Sequence, residues 1–227
     1  MNKKIRIQKH LSQQGILSRR KTETYIQNGW IKVNGETVTD LGTHIDPDTD
    51  TITFSEEVEQ IKQNYHYIAL HKPKGIVTNC PQDDEKEIRD ILPQHLKHLS
   101  SIGRLDKDSE GLILLTDDGI FAKKLLDPKK PHERKYIVKT ASPLSEDDID
   151  TLQSGVILFG NITKPLKIKP IKTQTYEFDM TEGKNRQIRR MVRLVDNTVV
   201  WLKRVAFGPI KLDFERGKFK PFKPELF

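Results

Sequence analysis

Gly103-Arg104-Leu105-Asp106-Lys107-Asp108-Ser109-Glu110-Gly111 sets a carboxylate among cations just ahead of the apolar run Leu112-Ile113-Leu114-Leu115. The turn formers Thr116-Asp117-Asp118-Gly119 close that run, so it reads as a buried strand. A rigid strand whose leading loop holds one acid, Asp106, beside Arg104 and Lys107 can mount acid–base or nucleophilic chemistry. A solvated turn uses the same residues, because charges gather at strand ends for solubility alone. A second candidate lies in residues 183–193. There Arg186, Arg189, Arg190 and Arg193 follow i, i+3, i+4, i+7 spacing, one face of a helix, with Ile188, Met191, Val192 and Val195 opposite. Such a helix packs by its apolar side and offers guanidinium groups to an anion or to water. Tyr136 sits in a strand pattern, residues 135–139, where core packing and a site role are equally open.

The composition narrows the chemistry. A chain of 227 residues forms one large domain or two smaller ones. One cysteine, Cys80, forms no internal disulfide, and the His residues lack zinc-ligand spacing, so no metal and no cofactor are expected. No run is long enough to span a membrane, and no secretory leader is evident, so a cytoplasmic protein is expected. The net charge is +7, unevenly spread. Residues 1–40 carry eight Lys/Arg against three acids, residues 41–60 six acids and no Lys/Arg, and residues 181–204 seven bases against two acids. Two separate basic patches fit a nucleic acid better than general solubility does.

Along the chain, Ile7, Leu11 and Gly15 predict a short helix with a glycine stop, and Ser18 an N-cap for a second helix towards Asn28-Gly29. That helix opens with Arg19-Arg20-Lys21, which opposes the helix macrodipole unless an external phosphate binds there. Asn34-Gly35 predicts a hairpin within residues 30–38, and Ile52 and Phe54 a further strand. Residues 56–64, polar and mostly acidic, read as a linker. A strand is expected over residues 65–70, then a turn at Lys72-Pro73-Lys74-Gly75. Irregular helical structure follows over 84–99, a helix over 119–126, and another over Ser142–Leu152 with Ser145 as its N-cap candidate. Residues 155–160, 167–172, 175–180 and 199–205 read as strands.

The segment HLSQQGILSRRKTETYIQNGWIKVNGETV resembles the αL RNA-binding domain of the S-four type, although Asp46-Pro47-Asp48-Thr49-Asp50 stands where that family usually has a Gly-Asp turn. With it, Lys72-Pro73-Lys74-Gly75, IGRLDKDSEGL and EGKNRQIRRM make nearly the whole chain resemble the bacterial ribosomal RNA pseudouridine synthases, closest to the synthase F branch acting on 23S rRNA. The resemblance implies an α+β architecture. Residues 1–55 would form the RNA-binding domain, 56–64 a linker, and 65–227 a catalytic domain with a mixed, mostly antiparallel central sheet flanked by helices. It implies that Asp106 starts cleavage of a uridine N-glycosidic bond, by attack at C1′ or by removal of the C2′ proton. Arg189 would pair with that aspartate, Tyr136 would stack on the base, and Arg104 would fill the gap left by the flipped uridine. Lys72, Arg186, Gln187, Arg190 and Leu202 would contact substrate or RNA, joined by Arg19, Arg20 and Lys21 of the N-terminal module. The expected partner is ribosomal RNA, or tRNA, and the expected state a monomer. Extruding a base costs a few kcal/mol, and stacking on one aromatic returns roughly 1–3 kcal/mol, so arginine–phosphate contacts must add the rest. Water is no reactant in an isomerisation, so one carboxylate suffices where glycosidases need two, leaving Asp108 and Glu110 structural or exposed. A non-catalytic RNA-binding protein and a uracil-removing glycosylase are the rival readings.

Overall fold

The structure, a computed structural model, describes residues 4–61 and 65–227. They fall into two compact units: Met1–His66 with Thr116–Lys124, and Tyr67–Leu115 with Leu125–Phe227.

In the first unit, α1 (Ile7–Gln13) and α2 (Arg19–Gln27) bury Ile7, Leu11, Tyr25 and Ile26 in one apolar cluster. Ser18 caps α2 by accepting a hydrogen bond from the Lys21 amide at 3.3 Å. Strands Ile31–Val33 and Glu36–Thr37 pair around Asn34-Gly35, whose positive φ angles (52° and 86°) are those of a tight hairpin turn. Ile52–Phe54 pairs with Ile31–Val33 on the other side. The acidic turn 46–50 is stitched by its own carboxylates. Asp50 accepts from the Asp46 amide at 2.7 Å and from Asn34 at 2.8 Å, while Asp46 accepts from the Asp48 amide at 3.1 Å. The linker expected over 56–64 needs correction. Glu56–Ile61 is helical (α3), and Val58 is fully buried in the N-terminal cluster. Residues 62–64 of that expectation lie outside the described residues. A fourth helix, α4 (Gly119–Leu125), belongs to this unit for all but its last residue.

The second unit is built on a nine-stranded sheet. Its main path runs Lys167–Lys172, Thr175–Met180, Arg134–Thr140, Val199–Phe207, Glu110–Thr116, Tyr67–Lys72, Phe219–Pro221. The first four strands pair antiparallel in turn, as do the last two, while Val199–Phe207 runs parallel to Glu110–Thr116. Two helices accompany it, α5 (Glu146–Ser154) and α6 (Gln187–Arg193). Ser145 and Asp148 form a reciprocal cap at the start of α5. Residues 84–99 include two short 3-10 turns, and this stretch buries Ile88, Leu92 and Leu96. The core joins these to Ile113, Leu115, Val138, Phe178, Met191 and Val192. The strand expected over 155–160 is instead a small hairpin, Ile157–Leu158 against Asn161–Ile162, turning at Phe159-Gly160. The strand expected from Tyr65 begins at Tyr67 and continues to Lys72.

Candidate active site

One register row across the sheet prepares the site: Phe178 lies opposite Tyr136, Tyr136 opposite Arg204, and Arg204 opposite Gly111. Opposed residues project to the same face, so Tyr136 and Arg204 stand side by side. Gly111 admits no side chain, since a Cβ there would overlap the Arg204 carbonyl oxygen. Arg204 is buried and donates from Nε to the Leu112 carbonyl at 2.6 Å.

Over this row opens a cleft of about 260 Å³. Asp106, Tyr136, Arg189, Arg104, Arg186, Gln187 and Leu202 all line it, so the fold gathers seven residues scattered between 104 and 202 of the chain. Arg134, Lys184 and Arg204 add cations that sequence reasoning missed. Arg134 and Arg204 sit in strand patterns where only the sheet register shows which way they point. Its lining mixes apolar residues (Leu105, Tyr136, Ile188, Leu202) with a majority of cations among the charged ones, a mixture that suits a flat base and its phosphate.

Asp106 sits half-buried on the loop entering the strand Glu110–Thr116. That loop is clamped from behind by the segment 72–78. Thr78 donates from Oγ1 to the Leu105 carbonyl (2.6 Å) and accepts from the Leu105 amide (3.0 Å). The Gly75 amide donates to the Lys107 carbonyl at 2.7 Å. Lys72, expected to meet RNA, needs correction: its side chain is fully buried, absent from the cleft lining, and donates to the Pro73, Ile76 and Ser109 carbonyls. Burial pushes its ammonium down to about 8, against the raising effect of Asp106, Asp108 and Glu110. Thr78 carried no sequence signal, being a lone threonine in an irregular stretch.

The charge pairing also differs from expectation. Arg189, expected on Asp106, places Nε 3.3 Å from Asp108 and donates to the Asp108 and Val199 carbonyls at 3.0 Å each. Among the described residues the cation within ion-pair reach of Asp106 is Arg186, at 3.9 Å. Arg186 also grips Asp108 with both terminal nitrogens, at 2.9 and 2.8 Å. Its backbone is left-handed (φ 51°) at the N-cap of α6, which swings it off the helical face it was expected to share. Burial alone would raise the Asp108 carboxyl, but the Arg186 hydrogen bonds and the charges of Arg189 and Arg186 outweigh it and hold it low. Gln187 buckles the loop before α6: its side-chain amide donates to Glu182 (2.7 Å) and its side-chain oxygen accepts from the Lys184 amide (2.8 Å).

The other expected RNA contacts are not among the cleft-lining residues. Arg190 is exposed and stacks on Phe159, its guanidinium 4.7 Å from the ring centre. Arg19 and Arg20 are exposed in the first turn of α2, but Lys21 turns inward, 4.0 Å from the Tyr65 ring centre. Burial lowers the Lys21 ammonium against the raising effect of Asp117 and Asp118, and its contact with the Tyr65 ring is a cation–π one.

Two family models match: RNA pseudouridylate synthase over residues 66–194 and the S4 domain over residues 5–50. The uncharacterized RNA pseudouridine synthase YtzG of Bacillus subtilis is 35% identical over 92% of this chain and 90% of its own length. The dual-specificity RNA pseudouridine synthase RluF of Escherichia coli K12 is 34% identical over 92% of this chain and 71% of its own length. The ribosomal large subunit pseudouridine synthase B of Bacillus subtilis is 35% identical over 91% and 87%. A crystal structure of a pseudouridylate synthase superposes with a TM-score of 0.71 at 31% identity, covering 97% of both chains. With the matched model spanning more than half of its residues, the chain belongs to the RNA pseudouridylate synthase family and is a pseudouridine synthase carrying an S4 domain.

Proposed function

We propose that this enzyme isomerises a uridine of ribosomal RNA, in the large subunit, with Asp106 starting the cleavage of its glycosidic bond. The observation that carries the reading is the placement of the Asp106 carboxylate in a cation-rich cleft lined by Tyr136, with Arg186 at 3.9 Å. The N1–C1′ bond breaks, uracil turns within the cleft, C5 bonds to C1′, and the C5 proton leaves while N1 regains one. No atom is gained or lost. Tyr136 stacks on the base as it turns, and Arg189, locked to the turn 106–109 through Asp108, fixes where the acid points. Arg104, exposed at the rim, is suited to fill the stack that the uridine vacates. Cations along the cleft and at Arg19 and Arg20 hold phosphates. The rRNA target is supported by the relative named for the large ribosomal subunit. A monomer working in the cytoplasm is part of the same reading. No helix among the described residues is long and apolar enough to cross a membrane.

The test is pseudouridine mapping across rRNA from cells lacking the gene. One missing large-subunit pseudouridine, restored by the wild-type gene and not by Asp106→Asn, is the expected result. A complete rRNA map with a pseudouridine missing from tRNA would contradict the target.

A further inference from the structure

The hairpin Ile157–Leu158/Asn161–Ile162 takes no part in the chemistry above, yet it is built at some cost. Both residues of its turn, Phe159 and Gly160, have positive φ (54° and 76°). That conformation suits Asn-Gly, and a bulky side chain there is strained. Burial does not offset the strain, because Phe159 is 60% exposed, with Ile157 (68%) and Ile162 (71%) exposed beside it. What the ring does have is a cation: the Arg190 guanidinium lies 4.7 Å from its centre. Arg190 in turn donates to the Asn185 backbone oxygen (3.2 Å) and side-chain oxygen (3.3 Å), and Asn185 lines the cleft. Two residues therefore connect the exposed ring to the site.

The segment that carries the hairpin is basic, bordered by the acidic α5 before it and by Glu182, which accepts from the Lys164 amide at 3.1 Å. From Thr151 to Tyr176 the chain carries Lys164, Lys167, Lys169 and Lys172, all exposed, and no acid. Glu177 and Asp179 on the adjoining strand are held by Lys135, at 3.8 and 2.8 Å. An apolar protein surface would use the aliphatics but gain nothing from four lysines. A nucleotide uses both, since its base stacks on an aromatic or guanidinium plane and its phosphate meets the cations.

We propose that Phe159 and Arg190 form a second base platform, on which an unpaired nucleobase of the RNA substrate near the target uridine stacks. This rests on the functional reading above and names a part of the RNA which that reading leaves open. The base must be unpaired, because a base within a duplex has no free face to offer.

Two variants of the full chain test it: Phe159→Asn, which suits the turn but removes the ring, and Phe159→Trp, which keeps an aromatic plane. Each is measured by thermal unfolding, by filter binding to deproteinised 23S rRNA transcript, and by tritium release from the same transcript labelled at uracil C5. The expected Asn variant melts at or above the wild-type temperature, binds about tenfold more weakly, and shows KM raised in proportion with kcat changed less than twofold. The Trp variant binds like wild type. Unchanged Kd and KM in the Asn variant overturn the inference and hand the patch to a protein partner. A lower melting temperature with unchanged Kd also overturns it, as a structural ring. Wild-type protein releasing no tritium would sink the functional reading instead, and the platform would then be judged by the binding ratio alone.

Discussion

Asp106 has one guanidinium at hand while Asp108 has two, so the second carboxylate is the anchor of the charge cluster. Arg186 is shared between them, and Asp108 decides how. Its carboxyl is held low, so the sign is that of a depressed acid: its stabilisation is present above the ordinary carboxylate range and is lost as pH falls through the folded value. Asp108→Asn is expected to lower kcat for tritium release about tenfold or more, because Arg186 is left to collapse on Asp106. RNA binding by filter retention should change little. Urea unfolding should show a loss of up to about 1 kcal/mol at pH 7, shrinking below about pH 4, as fits a partly exposed pair. Equal kcat in the two proteins would show that Asp108 has no part in placing the acid. Residue type and spacing left Asp106, Tyr136 and the arginines open between site and surface or core; the family resemblance singled them out, and the fold brings Asp106, Tyr136, Arg104, Arg186 and Arg189 to one cleft. The exchange of partners was not legible, because it depends on one left-handed backbone at Arg186 that no periodicity encodes. Thr78 was invisible for a similar reason: its meaning lies wholly in which backbone groups it meets.

The segment 72–78 acts as a brace for the loop bearing Asp106, through Lys72 to Ser109, Gly75 to Lys107, and Thr78 to Leu105. Proline and glycine in Lys72-Pro73-Lys74-Gly75 announced a turn, and Lys72 was set against RNA by the family resemblance. Its burial follows from the strand Tyr67–Lys72 running two residues further into the sheet than the apolar pattern suggested. The Lys72 ammonium is disfavoured by burial, so its protonation weighs against the fold below about pH 8, and that penalty fades as pH rises towards 10.5. Lys72→Met is expected to cost about 3 kcal/mol or more at neutral pH, because three carbonyls around a buried side chain go without their donor. The gap to wild type should widen as pH rises from about 8 to about 10, read by urea unfolding at each pH. A gap that narrows would mean that the ammonium is not disfavoured. Most other elements followed from caps and alternation: Ser18, Ser145 and Asn34-Gly35 each mark an observed boundary. The hairpin at Phe159 escaped because phenylalanine stands before Gly160 where asparagine or aspartate normally announces such a turn. The helix Glu56–Ile61 escaped because its sequence is polar and mostly acidic, although Val58 is buried in the N-terminal cluster.

For the molecule as a whole, charge and fold class were the most legible features. Uneven basic stretches pointed to nucleic acid, and the family resemblance implied a mixed sheet with added helices. The division into units was less so, since Thr116–Lys124 groups with the N-terminal residues although Thr116 ends the strand that follows the loop bearing Asp106. Spatial association of that kind is not written in local pattern. Affinity for RNA should be strongly salt-dependent, as phosphate contacts release counterions. Replacing Arg19 and Arg20 together by Ala is expected to weaken binding to 23S rRNA transcript severalfold. It should also flatten the slope of log K against log salt by about 1.5, close to one unit for each phosphate no longer neutralised. An unchanged slope would place those arginines off the RNA.

The central claim is that a single carboxylate, Asp106, opens the glycosidic bond. Its most direct test is single-turnover tritium release from C5-labelled 23S rRNA transcript by purified wild-type protein and by Asp106→Ala, with RNA binding measured alongside. Wild type is expected to give stoichiometric release and pseudouridine in the product. The variant is expected to bind nearly as well and to release tritium at least about a thousandfold more slowly, about 4 kcal/mol in barrier. Release by the variant within about tenfold of wild type would contradict the claim.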